Sequence, residues 1–199
     1  MRNLLFFILI ISSSAICGQD LAIINNNFGL KDSLNNNLEI RIYRNIAVAN
    51  STSVFRMYET ESGIWKAEYH YQNHKNSKSK KVENISKKLE PKNDFELVWL
   101  NMLKSNITDL PEMSEILWKL KKEPEIVEFN GRKELMWKKS DILDGISYLV
   151  QIRTNDTRKQ VDYWNPESYL SIYPDIDELI YFNQLLDVIK TEFDMWNNN

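Results

Sequence analysis

Residues 53–72 alternate apolar and polar side chains around a tight turn, and this alternation constrains the fold more than any other feature of the chain. Side chains of opposite character at every second position are typical of strands that bury one face. The residues Glu61-Ser62-Gly63 separate two such runs, so the segment predicts an antiparallel hairpin. One face is predicted to carry Phe55, Met57, Trp65, Ala67, Tyr69 and Tyr71, and the other Arg56, Lys66, Glu68 and His70.

Further strand patterns lie on both sides of this hairpin. In the second half of the chain, Asn130-Gly131 and Asp144-Gly145 are turn signals, and Asn-Gly suits a type I′ turn in particular. Strands that are joined by such short turns pair in the antiparallel sense. The additional strands are predicted at residues 39–48, 126–129, 134–138, 146–153 and 159–164.

Three segments show the spacing of apolar residues that is typical of amphipathic helices. They run from Asn93 to Ser105, from Asp109 to Pro124 and from Asp175 to Trp196. Their first residues form capping-box-like pairs at Asn93 with Glu96, Asp109 with Glu112 and Asp175 with Glu178. Segregated strands and helices predict an α+β fold, with an antiparallel sheet built from hairpins, two central helices and a long C-terminal helix. We expect one domain over residues 39–196.

The N-terminus has the composition of a secretory signal peptide, because Arg2 precedes an apolar run at residues 4–11 that small residues follow. We predict that residues 1–18 are this signal and that the protein is exported, either to the periplasm or as a secreted protein. Residues 19–38 contain two Asn triplets and are expected to be a loosely ordered lead-in. Cys17 either leaves with the signal, which gives a cysteine-free mature chain, or is lipidated as the first residue of a lipoprotein. Bulky Ile16 favours the first alternative.

Composition excludes several classes of chemistry. One Cys cannot form an intrachain disulfide framework or a Cys-based zinc site, and the five Gly form no phosphate-binding loop motif. His70 and His74 are expected to be exposed at a strand end, about 13 Å apart, and therefore to hold no metal. We predict no cofactor and assign no catalytic residue. A net charge of -3 gives no nucleic-acid footprint, and no run after the signal is long enough to span a membrane.

Residues 75–92 contain seven lysines and two acids. They predict a solvated basic loop, an edge strand protected by lysines, or a patch for an anionic partner. No Arg or aromatic residue is interleaved with the lysines, which favours the solvated loop. The third alternative allows a peripheral contact with an anionic surface through Lys78, Lys80 and Lys81.

The stretch from Asp144-Gly145 through Arg153 to Tyr163-Trp164-Asn165-Pro166-Glu167-Ser168-Tyr169 covers 26 residues, about one seventh of the chain that follows the predicted signal. It resembles a pattern in uncharacterised exported proteins of Bacteroidetes-type bacteria. The resemblance implies a bacterial envelope setting and carries no activity with it.

Aromatic side chains on the two best hairpins give the main hypothesis on function, since Trp and Tyr stack on sugars or contact peptides. Tyr163 and Trp164 are adjacent and must lie on opposite faces of their strand. We predict an exported, non-catalytic binding domain for a protein or glycan ligand. The alternatives are a metal-independent polysaccharide hydrolase that uses two carboxylates and a lipid-anchored envelope component. The candidate binding residues are Tyr71, Asp144, Tyr148, Arg153, Tyr163, Trp164 and Glu167.

Overall fold

The predicted α+β fold is confirmed in a computed structural model that describes residues 21–46, 49, 51–73, 83–138, 142 and 145–196. Six antiparallel strands form one sheet in the order β4-β3-β2-β1-β7-β8, and β5 and β6 form a separate hairpin. The strands are β1 (Leu38–Ile46), β2 (Ser51–Glu59), β3 (Trp65–Asn73), β4 (Glu83–Leu89), β5 (Glu125–Phe129), β6 (Arg132–Met136), β7 (Ile146–Thr154) and β8 (Thr157–Trp164).

The hairpin expected at residues 53–72 is β2 and β3, with the predicted faces. Phe55 lies opposite Tyr69 and Met57 lies opposite Ala67, which places the apolar side chains together. Glu68 lies opposite Arg56, on the other face of the sheet. The alternation of the sequence therefore fixes the register of this hairpin as well as its existence.

The helices are α1 (residues 21–28), α2 (Phe95–Leu103), α3 (Met113–Ile116), α4 (Pro166–Ile172) and α5 (Asp177–Phe193). The second predicted helix is shorter than expected, because Ile116 leaves helical geometry and a 3-10 turn at Leu117–Lys119 follows. The short helix α4 was not predicted. The described part of the chain contains no helix that is both long and apolar enough to cross a membrane.

All three predicted helix caps differ from those observed. At α2 the side chain of Asp94 accepts hydrogen bonds from the first-turn N–H groups, whereas Asn93 donates its side-chain amide to Glu192. At α3 the capping box is formed by Glu112 with Glu115. At α5 the cap position is Ile176, and it has no side-chain cap. Several acids and amides precede each helix, so sequence spacing alone did not select the one that caps it.

The first face of the sheet packs against helix α5. Leu179, Phe182, Leu186 and Ile189 of that helix are completely buried, and the ring of Phe182 stacks on Tyr163 at 4.1 Å between centroids. Each such side chain contributes roughly 1.5–3 kcal/mol through apolar burial. This layer is the hydrophobic core, and it accounts for the long apolar stripe of the C-terminal helix.

The second face of the sheet is covered by residues 21–37, which we call the N-terminal segment. The sequence suggested a loose lead-in here, but residues 21–28 are helical and the hydroxyl of Tyr43 donates to Asn25 Oδ1 at 2.7 Å. Arg41 is fully buried and donates to the carbonyl oxygens of Lys31 and Ser33. Specific polar contacts with the sheet therefore order this segment, which a count of apolar residues does not detect.

Glu39 anchors this polar interface. Its carboxylate is 0% exposed and accepts hydrogen bonds from Arg41 and Arg56, at 2.8 and 2.9 Å, and from main-chain N–H groups of Asn35 and Asn36 at 3.0 Å. Burial acts to raise the pKa of Glu39, but the hydrogen bonds and the two guanidinium groups outweigh it and hold the pKa below its ordinary value. The second face is therefore an ionic layer rather than a second apolar core.

The hairpin of β5 and β6 confirms the predicted turn, with Asn130 and Gly131 both at positive φ. The second strand of this hairpin, β6, begins and ends earlier than the strand predicted at residues 134–138, because Arg132 directly follows the two turn residues. The strand β4 corresponds to the edge-strand alternative for residues 75–92. Lys78, Lys80, Lys81, His74 and Asp144 lie outside the described residues.

Candidate functional site

The cavities on the second face include two that lie on opposite sides of the N-terminal segment. The first lies over β7 and β8, holds about 420 Å³, and is called the Trp164 cleft. The second lies over β3 and β4, holds about 440 Å³, and is called the His70 cavity. Because helix α1 provides a wall of the first and residues 28–30 a wall of the second, the position of this segment shapes both.

The floor of the Trp164 cleft is built from alternate residues of three adjacent strands. Trp164 lies opposite Ser147, and Asp162 lies opposite Leu149. Period-two geometry places these side chains on one face, together with Gln160. Across the floor, helix α1 contributes apolar side chains. The cleft is lined by Leu21, Ile24, Tyr43, Asn45, Ser147, Tyr148, Leu149, Gln160, Asp162, Tyr163 and Trp164.

Asp162 is the one carboxylate among the described residues of this lining. Burial raises the pKa of Asp162 above its ordinary value against a hydrogen bond with its own main chain, and no cation of the described residues offsets that effect. A half-buried carboxylate without a cationic partner is unfavourable for folding and is available to accept hydrogen bonds from a ligand.

Trp164 is half-buried and lines a second open space of about 350 Å³ at the end of the sheet, so its indole stands between two cavities. The next residue fixes this strand end, because Asn165 exchanges hydrogen bonds with the main chain of Ile146. Gly145 lets Asn165 approach, since a Cβ atom there would lie 1.6 Å from Asn165 Oδ1. The main chain next to Trp164 is therefore fixed at this end of the sheet.

Of the other predicted binding residues, only Tyr148 and Tyr163 are among the described residues that line the Trp164 cleft. Tyr148 and Tyr163 line the cleft from the buried side of the sheet; Tyr148 accepts a hydrogen bond from Arg44 at 3.3 Å, and the hydroxyl of Tyr163 donates to a carbonyl of the chain. Burial raises the pKa of Tyr148 to about 12 and also raises that of Tyr163. Both hydroxyls therefore stay protonated at neutral pH.

Tyr71 is half-buried on β3, in the other half of the sheet. Arg153 donates to Asn155 O and Asn37 Oδ1 at the far end of β7. Glu167 forms an ion pair with Lys190 at 3.0 Å. Arg153 and Glu167 therefore have structural partners, and neither they nor Tyr71 line the Trp164 cleft.

Leu21, Ile24 and Gln160 belong to the Trp164 cleft but were not predicted as binding residues. Gln160 and Asp162 share a face with Trp164 by simple alternation along β8, so that signal was present in the sequence. The two residues of helix α1 are distant in the chain, and only the position of the N-terminal segment brings them to the cleft.

The His70 cavity contains a row of three side chains on neighbouring strands. Ser86 Oγ lies 2.8 Å from His70 Nδ1, and His70 Nε2 lies 3.7 Å from Glu68 Oε2, which is too long for a hydrogen bond. His70 is 6% exposed, contrary to the expectation of an exposed histidine. The imidazole of His70 lowers the pKa of Glu68, and Arg56 and the hydroxyl of Tyr58 lower it further. These groups outweigh the effect of burial and bring the pKa to about 2.

The described residues contain no group of three or more His, Cys, Asp or Glu side chains that could hold a metal ion. Comparisons with protein-family models, with curated proteins and with solved structures find no match to this chain. Any function of the Trp164 cleft and the His70 cavity must therefore be inferred from their geometry alone.

Proposed function

We propose that the protein is a binding domain that holds a neutral glycan in the Trp164 cleft without catalysing a reaction there. One observation carries the proposal: a half-buried indole and a carboxylate that has no cationic partner in the described part of the chain share the floor of a cavity of about 420 Å³. An indole offers a flat apolar face and an N–H donor, while a carboxylate accepts hydrogen bonds from hydroxyl groups. A sugar ring presents both an apolar face and hydroxyl groups.

Size and charge narrow the ligand class. A volume of about 420 Å³ lies in the range of small-molecule sites, which suits one or two sugar units. No described Lys or Arg lines the cleft, and Asp162 carries its only described negative charge. An acidic sugar would meet repulsion without a compensating cation, so we expect neutral glycans to be preferred.

The carboxylate-hydrolase alternative requires two carboxylates that face each other across a cleft. The described lining provides Asp162 alone, so binding accounts for more of the geometry than hydrolysis does. The predicted signal peptide supports an envelope or extracellular setting for this binding, where glycans are abundant. Lipid anchoring at Cys17 would keep the same cleft at the membrane surface.

The experiment is isothermal titration calorimetry of the purified protein with a panel of neutral and acidic oligosaccharides. We expect a neutral glycan to bind and Trp164→Ala to weaken it by about 10–30-fold, which is typical of a buried aromatic contact. Trp137→Ala is the matched control, because Trp137, directly after β6, is 53% exposed and does not line the cleft. Equal affinity of the wild type and Trp164→Ala, or binding of acidic glycans only, would refute the proposal.

A further inference from the structure

The His70 cavity carries an arrangement that the Trp164 cleft does not explain. The register of β3 and β4 places Ser86 directly opposite His70. Glu68 lies two residues before His70 on the same strand, so all three side chains project from the second face of the sheet. They form a row of hydroxyl, imidazole and carboxylate, with 2.8 Å between the first two and 3.7 Å between the last two.

The two ring nitrogens of His70 face different neighbours, with Nδ1 toward Ser86 and Nε2 toward Glu68. The Nε2 atom is buried and has no hydrogen-bond partner among the described residues, and the nearest acidic oxygen is Glu68 Oε2. With the proton of a neutral imidazole on Nε2, Nδ1 is free to accept the hydrogen bond of Ser86. The ring is thus placed to take a proton from the serine while its other nitrogen points at a carboxylate.

Glu68 is held in place for this role by its own partners. Tyr58 donates its hydroxyl to Glu68 at 3.1 Å, and Arg56 approaches the same carboxylate at 3.4 Å. These contacts keep the side chain ionised and limit its rotation. A fixed carboxylate that faces the histidine, here at 3.7 Å and without a hydrogen bond, occupies the place of the positioning residue in serine-based acyl transfer.

The space beside Ser86 can receive a substrate. The cavity holds about 440 Å³, with Phe28 and Leu30 as an apolar wall and Lys88 as a cation in the lining. Lys88 lies opposite Glu68 in the register. An ammonium group in this lining is available to stabilise negative charge that develops on a carbonyl oxygen.

We infer that Ser86 is the nucleophile of an esterase site for small carboxylic esters, with His70 as its base and Glu68 as a positioning residue. Ser86 Oγ bonds to the carbonyl carbon and its proton passes to His70 Nδ1. The bond from that carbon to the ester oxygen then breaks, and the alcohol leaves with the proton. Water, deprotonated by His70, attacks the acyl-serine, which releases the carboxylic acid and returns the proton to Ser86.

The experiment measures hydrolysis of 4-nitrophenyl acetate by the purified protein, together with mass spectrometry of the acetylated protein. We expect a burst of nitrophenol, an acetyl group on the peptide that contains Ser86, and a rate that falls about 100-fold in Ser86→Ala and His70→Gln. Glu68→Gln should lower the rate less. Ser62→Ala is the matched control, because Ser62 lies in the exposed turn before β3.

Two outcomes would overturn the inference. The first is a rate of hydrolysis no higher than that in buffer containing an unrelated protein of the same net charge. The second is that Ser86→Ala leaves both the hydrolysis rate and the acetylation of the protein unchanged. Urea unfolding of Ser86→Ala shows whether the variant folds. The hydrolysis rate of Glu68→Gln, in which Ser86 is intact, tests the same site with a second variant. Glycan binding in the Trp164 cleft should be unchanged in Ser86→Ala. The esterase inference and the proposed glycan binding can therefore be refuted separately.

Discussion

Replacing Glu39 with Gln tests whether the ionic layer beneath the N-terminal segment stabilises the fold. The carboxylate accepts hydrogen bonds from two guanidinium groups and from N–H groups of the segment, and it is completely buried. Gln keeps the shape but replaces one acceptor oxygen with a donor, so Arg41 remains buried without a negative partner. Removing one member of a buried ion pair costs about 3–5 kcal/mol.

The assay is equilibrium unfolding in urea, followed by circular dichroism. With a slope of about 2 kcal/mol per molar, this loss lowers the midpoint by about 1.5–2.5 M. Glu59→Gln is the control, because Glu59 lies at the end of β2 outside the Glu39 contacts, and it should change stability by less than about 0.5 kcal/mol. A midpoint for Glu39→Gln within about 0.3 M of the wild type, at an unchanged slope, would refute the reasoning.

Two further predictions concern acid stability and close packing. The pKa of Glu68 is lowered from 4.5 to about 2, so the contribution of its carboxylate to stability is complete above pH 4.5 and is lost as the pH falls toward 2. Glu68→Gln should therefore flatten the fall in the free energy of unfolding over this pH interval. Parallel curves of stability against pH for the wild type and Glu68→Gln would contradict this prediction. Gly145→Ala should displace the side chain of Asn165 from its bond to Ile146 N and destabilise the protein by about 1–3 kcal/mol. Thermal unfolding measures this change, and an unaltered midpoint would show that Asn165 moves aside without cost.

The sheet could be predicted where one face is apolar and the other polar. Residues 53–72 meet this condition, so both the hairpin and its faces follow from alternation. Ends of helices were less predictable, because Asp94 and Asn93 are both plausible caps and tertiary contact with Glu192 decides between them. Local sequence patterns therefore predict the existence of a helix or strand more accurately than the residues at which it begins and ends.

The second face was not predictable from local patterns. Glu39 and Arg41 alternate with Ile40 and Ile42, which indicates a solvent-exposed side for the charges, yet the N-terminal segment covers both. For the candidate site, adjacency alone placed Tyr163 and Trp164 on opposite faces, as the structure has them. The cleft itself depends on where helix α1 lies, and no pairing signal in the sequence specifies that position.

The pairing of β1 with β7 has a consequence for the order of folding. It joins residues 38–46 to residues 146–154, so this seam forms only after a long loop has closed, and such contacts slow folding. The floor of the Trp164 cleft crosses the seam, with Asn45 on one side and Ser147 on the other. A ligand in the cleft would therefore bind only the closed sheet and favour its closure by mass action.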